Sequence, residues 1–310
     1  MILCLAPNPA IDRTIYVDSL TPGEVHRAEK TLAAAGGKGL NVARTILALG
    51  GAPLCMGLVG GQVGNLLAEL AEREGLSAHW TRTKNQTRTC IILVERGRDA
   101  TVVNERGAEV SADECQTFLR DVWMQGKRAQ LVCVSGSLPP GFSLDDFSSM
   151  LQGLVAQGKS VWVDTSGAAL KIALDVRGLN IKVNAKELGE TLGFEISNME
   201  QAANAGRQLL GRGISSIAVT LGKDGAILVV DSGMWFVRPP AIEVVSSVGS
   251  GDAFLGGLAF ALEQGHPPEV ALQYGVAAGA ANALHFEGGV VKQREFEVLC
   301  DKTVLTRIQL

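Results

Sequence analysis

The sequence predicts an α/β fold, a doubly wound and mainly parallel sheet with helices on both faces and a small β-sheet lid. In the middle of the chain, short apolar runs alternate with segments of helical period. The runs Leu131–Val134 and Ser160–Val163 enclose a helix predicted near 144–157, and a strand at 181–183 precedes a helix predicted near 200–212. This alternation is typical of parallel strands joined by crossover helices.

Antiparallel hairpins are predicted at one edge of that sheet. The apolar runs Ile217–Val219 and Ala226–Val230 flank the turn sequence LGKDG, and Met234–Val237 follows an Asp-Ser-Gly turn. Glycine and Asp-Gly turns between short apolar runs favour hairpin connections.

The lid is predicted from two extended segments near the N-terminus. Its strands are expected within residues 12–33, where Thr14–Val17 and Val25–Thr31 look extended, and within 86–107, which includes Thr87–Val94 and Ala100–Val103. Both segments lie between pieces of the α/β pattern, so they would form a small sheet beside the main one.

Composition indicates a globular chain with one domain over residues 1–310. Hydrophobic residues make up 46% of the 310 residues and charged residues 19%, which excludes a disordered chain. The formal net charge of −4 and the pI near 5.7 indicate no basic stripe of the kind that nucleic-acid binding needs, so nucleic acid is not expected as a partner.

A cytoplasmic protein with no membrane partner is expected. The opening residues MILCLAPNP lack a basic region before an apolar run, and nowhere are about 18 apolar residues consecutive. The cysteines contain no C-x-x-C pair, and with the histidines they show no metal-ligand spacing, so they are interpreted as reduced and mostly buried: Cys4, Cys55, Cys90, Cys115, Cys133 and Cys300.

A first glycine-rich turn runs from Ala35 to Ala43 and precedes a helix. Its glycines would let the backbone approach a ligand closely, while Lys38 offers a positive charge and Asn41 both donates and accepts hydrogen bonds. It is not a P-loop, because G-x-x-x-x-G-K-[ST] is absent. A flexible strand-to-helix loop is the alternative interpretation.

A second turn, Thr220–Gly225, is explained either as a simple hairpin or as a ligand-binding edge. If the strand that ends at Thr220 is central, backbone amides near Gly222 lie at the carboxyl edge of the sheet. Open α/β folds bind their ligands at that edge.

The third turn, SVGSGDAFLGGL, lies between strand-like Ile242–Val245 and a predicted helix. Amides at a helix N-terminus form an anion site, and Asp252 there could merely complement the helix dipole. As an ionised carboxylate it could instead accept a hydroxyl proton while the amides stabilise a transferring phosphoryl group. Gly256 and Gly257 are interpreted as allowing close helix packing.

Together the motifs resemble the PfkB (ribokinase-like) family of carbohydrate kinases over nearly the whole chain. The segments that carry the resemblance occur in this order: Asn8–Asp12, Gly36–Ala43, Val134–Gly141, Asp164–Gly167, Asn184–Glu187, Thr220–Gly222 and Ser246–Leu258. Each segment is moderately specific, and their common order makes coincidence a poor explanation.

The resemblance implies transfer of the γ-phosphoryl group of ATP to a sugar hydroxyl. It makes Asp252 the base, with Gly249, Ser250 and Gly251 as the anion hole. It places the following residues at the acceptor: Asp12, Gly37, Lys38, Asn41 and Ser137. For Asp12, capping of a turn is the alternative.

On the nucleotide side, the resemblance implies that Asn184 and Glu187 organise Mg2+, with Glu187 acting through water. A helix cap followed by a capping-box glutamate explains the same pair structurally. The resemblance also implies that the following residues contact the nucleotide: Lys182, Thr220, Gly222, Gly225, Gly251, Gly279 and Asn282. Beside Lys182, this chain has Val183 where many relatives have proline. For Gly279 and Asn282, close helix packing is the alternative. Carbonyls of Ser246 and Val248 would hold K+.

The sequences of two loops, GGKGLNVA at 36–43 and SGSLPPG at 135–141, resemble those of the branch of the family that acts on hexose monophosphates. Lys38, with Arg88 on a predicted lid strand, would supply two cations for the acceptor's phosphate. Fructose 1-phosphate is the favoured acceptor, with tagatose 6-phosphate and fructose 6-phosphate as alternatives. An exposed strand residue is the other explanation of Arg88, and Arg106 is assigned no role. Lid pairing implies a homodimer.

Two other classes of protein are weighed against a kinase. A non-catalytic sugar-phosphate sensor would keep the fold, but the intact Asp252, Gly251, Asn184 and Glu187 argue against it. A dinucleotide-dependent oxidoreductase would need G-x-G-x-x-G after a strand, which is absent.

Overall fold

The structure is a computed structural model that describes residues 1–95 and 100–309. Its main sheet has ten strands. Seven neighbouring strands are parallel and the last three are antiparallel, which confirms the predicted edge hairpins. The spatial order is β5 (Ser77–Thr83), β4 (Pro53–Gly60), β1 (Ile2–Ala6), β8 (Leu131–Ser135), β9 (Ser160–Asp164), β10 (Asn180–Asn184), β11 (Ser216–Thr220), β12 (Ala226–Val230), β13 (Gly233–Arg238) and β14 (Val304–Ile308).

Helices cover both faces of this sheet, as predicted. One face carries α1 (Lys38–Ala48), α2 (Gly61–Arg73), α8 (Ser250–Glu263), α9 (Pro268–Asn282) and α10 (Gln293–Asp301). The other carries α3 (Ala112–Gly126), α4 (Leu144–Ala156), α5 (Gly167–Asp175), α6 (Ala185–Leu192) and α7 (Met199–Gly211). In β1, Cys4 packs against the face covered by α1, α2, α8 and α9, while Leu3 and Leu5 pack against the face covered by α3 to α7. Successive strand residues point to opposite faces of a sheet.

Two glycines let α8 pack closely between its neighbours. A Cβ on Gly256 would lie 2.7 Å from Thr45 Cβ of α1, and one on Gly257 would lie 2.5 Å from the Tyr274 oxygen of α9. The interpretation of this pair as packing residues is confirmed.

The predicted small sheet is present, with strand order β3-β2-β6-β7. Its strands are β2 (Ala10–Val17), β3 (Lys30–Gly36), β6 (Arg88–Glu95) and β7 (Thr101–Asn104). The strand predicted at Val25–Thr31 lies later than expected. Because Tyr16 pairs with Lys30 and Ala10 with Gly36, the residues before Lys30 connect β2 to β3, and Val25 is exposed.

The prediction of a strand at Ile242–Val245 is wrong, because this segment is neither helix nor strand. β13 ends before Pro239 and Pro240, and β14 already pairs along its outer side. The segment instead crosses to the end of α9, where the Val245 N–H donates to the Ala283 carbonyl at 2.8 Å.

The sheet order places a ligand crevice at the carboxyl ends of the central strands. From β1 the chain proceeds to β4 and β5 on one side and to β8 through β11 on the other. A change of direction of this kind is where open α/β sheets bind ligands. Among the described residues, no helix is both long enough and apolar enough to cross a bilayer.

Candidate active site

The N-terminus of α8 presents backbone amides to the crevice. Gly249 precedes the helix with a φ of 78°, and a Cβ there would lie 2.4 Å from Gly288 Cα, so only glycine fits. No side chain of the described residues caps this helix. The Ser250 N–H donates to the Ser247 carbonyl at 3.2 Å. The amides at this helix start are the groups that would meet an anion, and the anion hole at Gly249, Ser250 and Gly251 stays a prediction.

Asp252 lies in the first turn of α8 and is only 7% exposed. Asn41 of α1 donates its Nδ2–H to Asp252 Oδ2 at 2.8 Å. Burial raises the pKa of Asp252 to about 6, against the opposing charges of Lys38 and Lys182. The carboxyl is thus a base of moderate strength that is mostly ionised at neutral pH.

Asp164, at the end of β9, joins two lysines beneath this base. Its carboxylate is fully buried and accepts from Lys38 Nζ at 3.0 Å and from Lys182 Nζ at 2.7 Å. Although burial favours the neutral acid, the two lysines hold the pKa of Asp164 below its usual value. The site therefore combines two positive charges with one structural carboxylate.

Lys182 reaches the amide loop directly. A Cβ on Gly251 would lie 2.7 Å from Lys182 Nζ, so the lysine charge lies against the predicted anion hole. This placement is compatible with the predicted contact to phosphate, and the preceding Val183 is buried in the core on the other face of the sheet.

Asp12, on the lid strand β2, lies against the first glycine-rich turn. A Cβ on Gly36 would fall 2.1 Å from Asp12 Cγ, so glycine is needed for this approach. Burial raises the pKa of Asp12, while Arg44, a backbone hydrogen bond from Gly37 and Arg88 act against that rise. The predicted acceptor residues Asp12 and Gly37 are thus brought together.

Arg88 joins the lid to the loop after β1. Its Nη2 donates to the Asn8 carbonyl at 2.9 Å and its Nη1 to the Glu105 carbonyl at 2.8 Å. Asn8 Nδ2 in turn donates to Ser137 Oγ at 3.1 Å and to the Arg106 carbonyl at 3.0 Å. These bonds place Ser137 beside the same loop, whereas Lys38 is bonded to Asp164 at the end of β9.

Asn184 and Glu187 form a capping box at the start of α6, as the structural interpretation predicts. Asn184 Oδ1 accepts from the Glu187 N–H at 2.8 Å. Glu187 Oε1 also lies 4.0 Å from Lys38 Nζ, and its side chain is 22% exposed. Cap and ligand roles are therefore compatible for this glutamate.

The second glycine-rich turn contains a short 3-10 turn, Gly222–Asp224, directly after β11. Gly222 has a φ of 61° with open space around its Cβ position. A Cβ on Gly225, by contrast, would lie 2.1 Å from the Val237 carbonyl oxygen. Hairpin packing thus accounts for Gly225, while Thr220 and Gly222 lie at the carboxyl edge of the sheet.

Asn282 is fully buried and holds two loops together. Its Nδ2 donates to the Val248 carbonyl at 2.8 Å, and its Oδ1 accepts from the Gly289 N–H at 2.7 Å. Gly279 packs near Ser250, whose carbonyl would lie 3.1 Å from a Cβ there. Both residues have the helix-packing environment given as their alternative, and their contact with the nucleotide stays a prediction.

Sequence reasoning assigned no role to Asp164, Arg44 or Glu74. Asp164 has a visible signal, since a carboxylate at the carboxyl end of a buried strand points to the ligand edge. Arg44 and Glu74 meet at 2.6 Å only because α1 packs beside the end of α2. No local sequence pattern indicates that contact.

A doubly wound sheet with a buried carboxylate and two lysines beside a helix N-terminus is an arrangement that suits a phosphotransferase with an alcohol acceptor. The pfkB family carbohydrate kinase model matches residues 6–292. The chain therefore belongs to the pfkB family of carbohydrate kinases.

Two relatives extend along nearly the whole chain. The 1-phosphofructokinase of Bacillus subtilis (strain 168) is 29% identical over 289 residues, which is 93% of this chain and 94% of the relative. Phosphofructokinase-2 from Escherichia coli, in a tetrameric inhibited form, is 28% identical with a TM-score of 0.91, and covers 97% of this chain and 98% of its own. The potassium complex of the same protein is 26% identical with a TM-score of 0.91 and the same coverage.

Proposed function

We propose that the protein phosphorylates a ketohexose monophosphate with ATP, and that it converts fructose 1-phosphate to fructose 1,6-bisphosphate. The observation that carries the proposal is the positive charge of Lys38 in the first glycine-rich turn. Lys38 is the first residue of α1, and its side chain is 37% exposed. Asp164, Asp252 and Glu187 raise its pKa above the usual value, so it stays charged. The resemblance to the Bacillus subtilis 1-phosphofructokinase supports the choice of acceptor.

The residues of the site support direct transfer to a hydroxyl. Asp252 accepts the hydroxyl proton as the acceptor oxygen forms its bond to the γ-phosphorus of ATP. The bond from that phosphorus to its bridging oxygen breaks, and the electron pair leaves with ADP. The amides of Gly249–Gly251 and the charge of Lys182 stabilise the phosphoryl oxygens during transfer.

The donor set fits a magnesium ion held mainly by phosphates. Within residues 1–95 and 100–309, no group of three or more His, Cys, Asp or Glu side chains is arranged to hold a metal ion. Mg2+ is usually bound by one or two carboxylates together with substrate phosphates and water. Glu187, whose side chain is 22% exposed, is the carboxylate proposed for this role, and the ion would neutralise phosphate charge.

A panel of acceptors tests the proposal. ATP consumption coupled to ADP detection is measured with fructose 1-phosphate, fructose 6-phosphate, tagatose 6-phosphate and unphosphorylated fructose. The highest kcat/KM is expected for fructose 1-phosphate, and fructose is expected to be a poor acceptor. A higher kcat/KM for either alternative phosphate would replace the proposed acceptor, and binding without turnover of any acceptor would establish the sensor.

The charged acceptor leads to a prediction for two residues. Lys38→Ala and Arg88→Ala should each raise the KM for the sugar phosphate by about tenfold or more, since each removes one charge-assisted contact. Steady-state kinetics that vary sugar phosphate at saturating ATP measure the effect. Arg13→Ala, on the exposed side of the same lid, is the control and should leave that KM unchanged. An unaltered KM in both test variants would refute the phosphate contacts.

A monovalent cation is proposed at the carbonyls of Ser246 and Val248. The segment lies outside any helix or strand, and Ser246 is buried. The Val248 carbonyl accepts one hydrogen bond from Asn282 and keeps a second lone pair. Oxygen donors of this kind suit K+. Higher kcat is expected in KCl than in NaCl at equal ionic strength, and equal rates would argue against the site.

A homodimer through the lid and a cytoplasmic location complete the proposal. On the outer lid strand β7, Val102 and Val103 are 40% and 54% exposed. β7 lies at the edge of the small sheet, and an edge strand can pair with a strand of a second copy. All six cysteines are free, which agrees with a reducing compartment.

A further inference from the structure

Arg44 of α1 lies at the centre of a hydrogen-bonded cluster behind the base. Its Nε and Nη2 donate to Glu74 Oε2 at 2.9 and 2.6 Å. Its Nη1 donates to Asn41 Oδ1 at 2.8 Å and to the Gly288 carbonyl at 2.7 Å, and Nη2 reaches the Ala35 carbonyl at 2.5 Å. The guanidinium thus uses every N–H group on its fork, with only 15% of the side chain exposed.

These bonds decide which way the Asn41 amide faces. The Oδ1 atom is taken by Arg44, which is only a donor, so the Nδ2 group must face the carboxylate of Asp252. The reversed amide would place Oδ1 against Asp252 and a donor against Arg44, which loses both bonds. Asn41 is 6% exposed, so water is a poor substitute for either partner.

Glu74 holds the arginine in this position. Its Oε1 accepts from the Ala35 N–H at 3.0 Å while its Oε2 accepts from Arg44, so the acid is fixed on both sides. Arg44 makes no bond of its own to Asp252, although its charge also acts against the rise in the pKa of Asp12.

We propose that Arg44, fixed by Glu74, is a positioning residue that orients the Asn41 amide to donate to Asp252 and so holds the base for proton transfer. The inference rests on the proposed role of Asp252 as the base. Lys38 of α1, Asp164 of β9 and Lys182 of β10 are the charged groups that face Asp252. Arg44 acts on this group only through Asn41.

A double-mutant cycle with Asn41→Ala and Arg44→Gln tests the inference. Each single variant should lower kcat by about 10- to 100-fold, as expected for a misplaced catalytic group. The double variant should be no slower than Asn41→Ala alone, because that variant has no amide left to orient. Multiplied losses would overturn the proposal, since they would show that Arg44 acts independently of Asn41.

The pH profile of kcat separates positioning from a general structural role. The bond from Asn41 lowers the pKa of Asp252 against the effect of burial. Loss of that bond should move the acid limb of kcat to higher pH in both single variants, with no further movement in the double variant. Arg44→Lys keeps the charge without the fork and should shift the limb as Arg44→Gln does. An unmoved limb would contradict the inference.

Two further variants keep the test decisive. Glu74→Gln preserves the shape of the acid and replaces Arg44→Gln in the cycle if that variant does not fold. Arg73→Gln, at a neighbouring side chain that is 73% exposed, is the matched control and should behave as the unmodified enzyme. Near-normal turnover of Asp252→Asn would refute the proposed role of Asp252 as the base. If Asp252→Asn is inactive but the kcat losses of Asn41→Ala and Arg44→Gln multiply in the double variant, only the role of Arg44 is refuted.

Discussion

Asp252→Asn is expected to lower kcat by about 100- to 10,000-fold, the range typical of general-base removal. The amide keeps the shape of the side chain but cannot take the acceptor's proton. ATP binding should remain close to normal, because the amides of Gly249–Gly251 and the lysine Lys182 are untouched. Initial-rate kinetics with the preferred sugar phosphate and calorimetric titration with ATP measure the two quantities.

The same variant should be at least as stable as the unmodified protein at pH 8. The folded-state pKa of Asp252 is raised to about 6, so the ionised carboxyl costs stability above that pH. Protonation below pH 6 relieves this cost, and the neutral amide never bears it. Urea unfolding at pH 8 therefore separates lost chemistry from lost structure.

Asp145→Asn is the matched control for the helix-dipole explanation. Asp145 also lies in the first turn of a helix, α4, but is exposed to solvent. If Asp252 only complements the dipole, both substitutions should have similarly small effects. Near-normal turnover of Asp252→Asn would remove this residue as the base.

Asp164→Asn is expected to lower the free energy of unfolding by about 3–5 kcal/mol, as for removal of one partner from a buried ion pair. An amide oxygen can accept from one lysine, but the amide NH2 group then faces the other. Lys182, whose side chain is only 5% exposed, would lose its counter-charge. Urea unfolding at neutral pH measures the change.

The loss should shrink as the pH is lowered. The folded-state pKa of Asp164 is depressed, so its contribution to stability is full above the unfolded-state pKa and disappears as pH falls through the folded value. Glu190→Gln breaks an exposed pair, 3.9 Å from Lys186, and should change stability by less than about 0.5 kcal/mol. Equal effects of the two substitutions would contradict the role given to Asp164.

Sequence periodicity predicted the main elements because the central strands are buried on both faces. Such strands appear as continuous apolar runs, and the helices near 144–157 and 200–212 occur at Leu144–Ala156 and Met199–Gly211. The segment Ile242–Val245 misled the same reasoning. Its β-branched residues favour a strand, but no sheet partner lies beside it.

Those residues of the candidate site that belong to a short motif along the chain could be predicted from the sequence. Glycines before Asp252 and the Asn184–Glu187 spacing are visible along the chain. The contact of Arg44 with Glu74 and the two lysines on Asp164 arise only when separate elements meet. Tertiary contacts of that kind leave no periodic trace in the sequence.

The junction between β3 and α1 has a mechanical consequence. β3 ends at Gly36 and α1 begins at Lys38, so Gly37, with a φ of 97°, is the single pivot between lid and helix. Ala35, two residues before this glycine, is bonded to Glu74 through its N–H and to Arg44 through its carbonyl. Any change in the position of β3 would therefore be passed on to α1 and to Lys38 at its first turn.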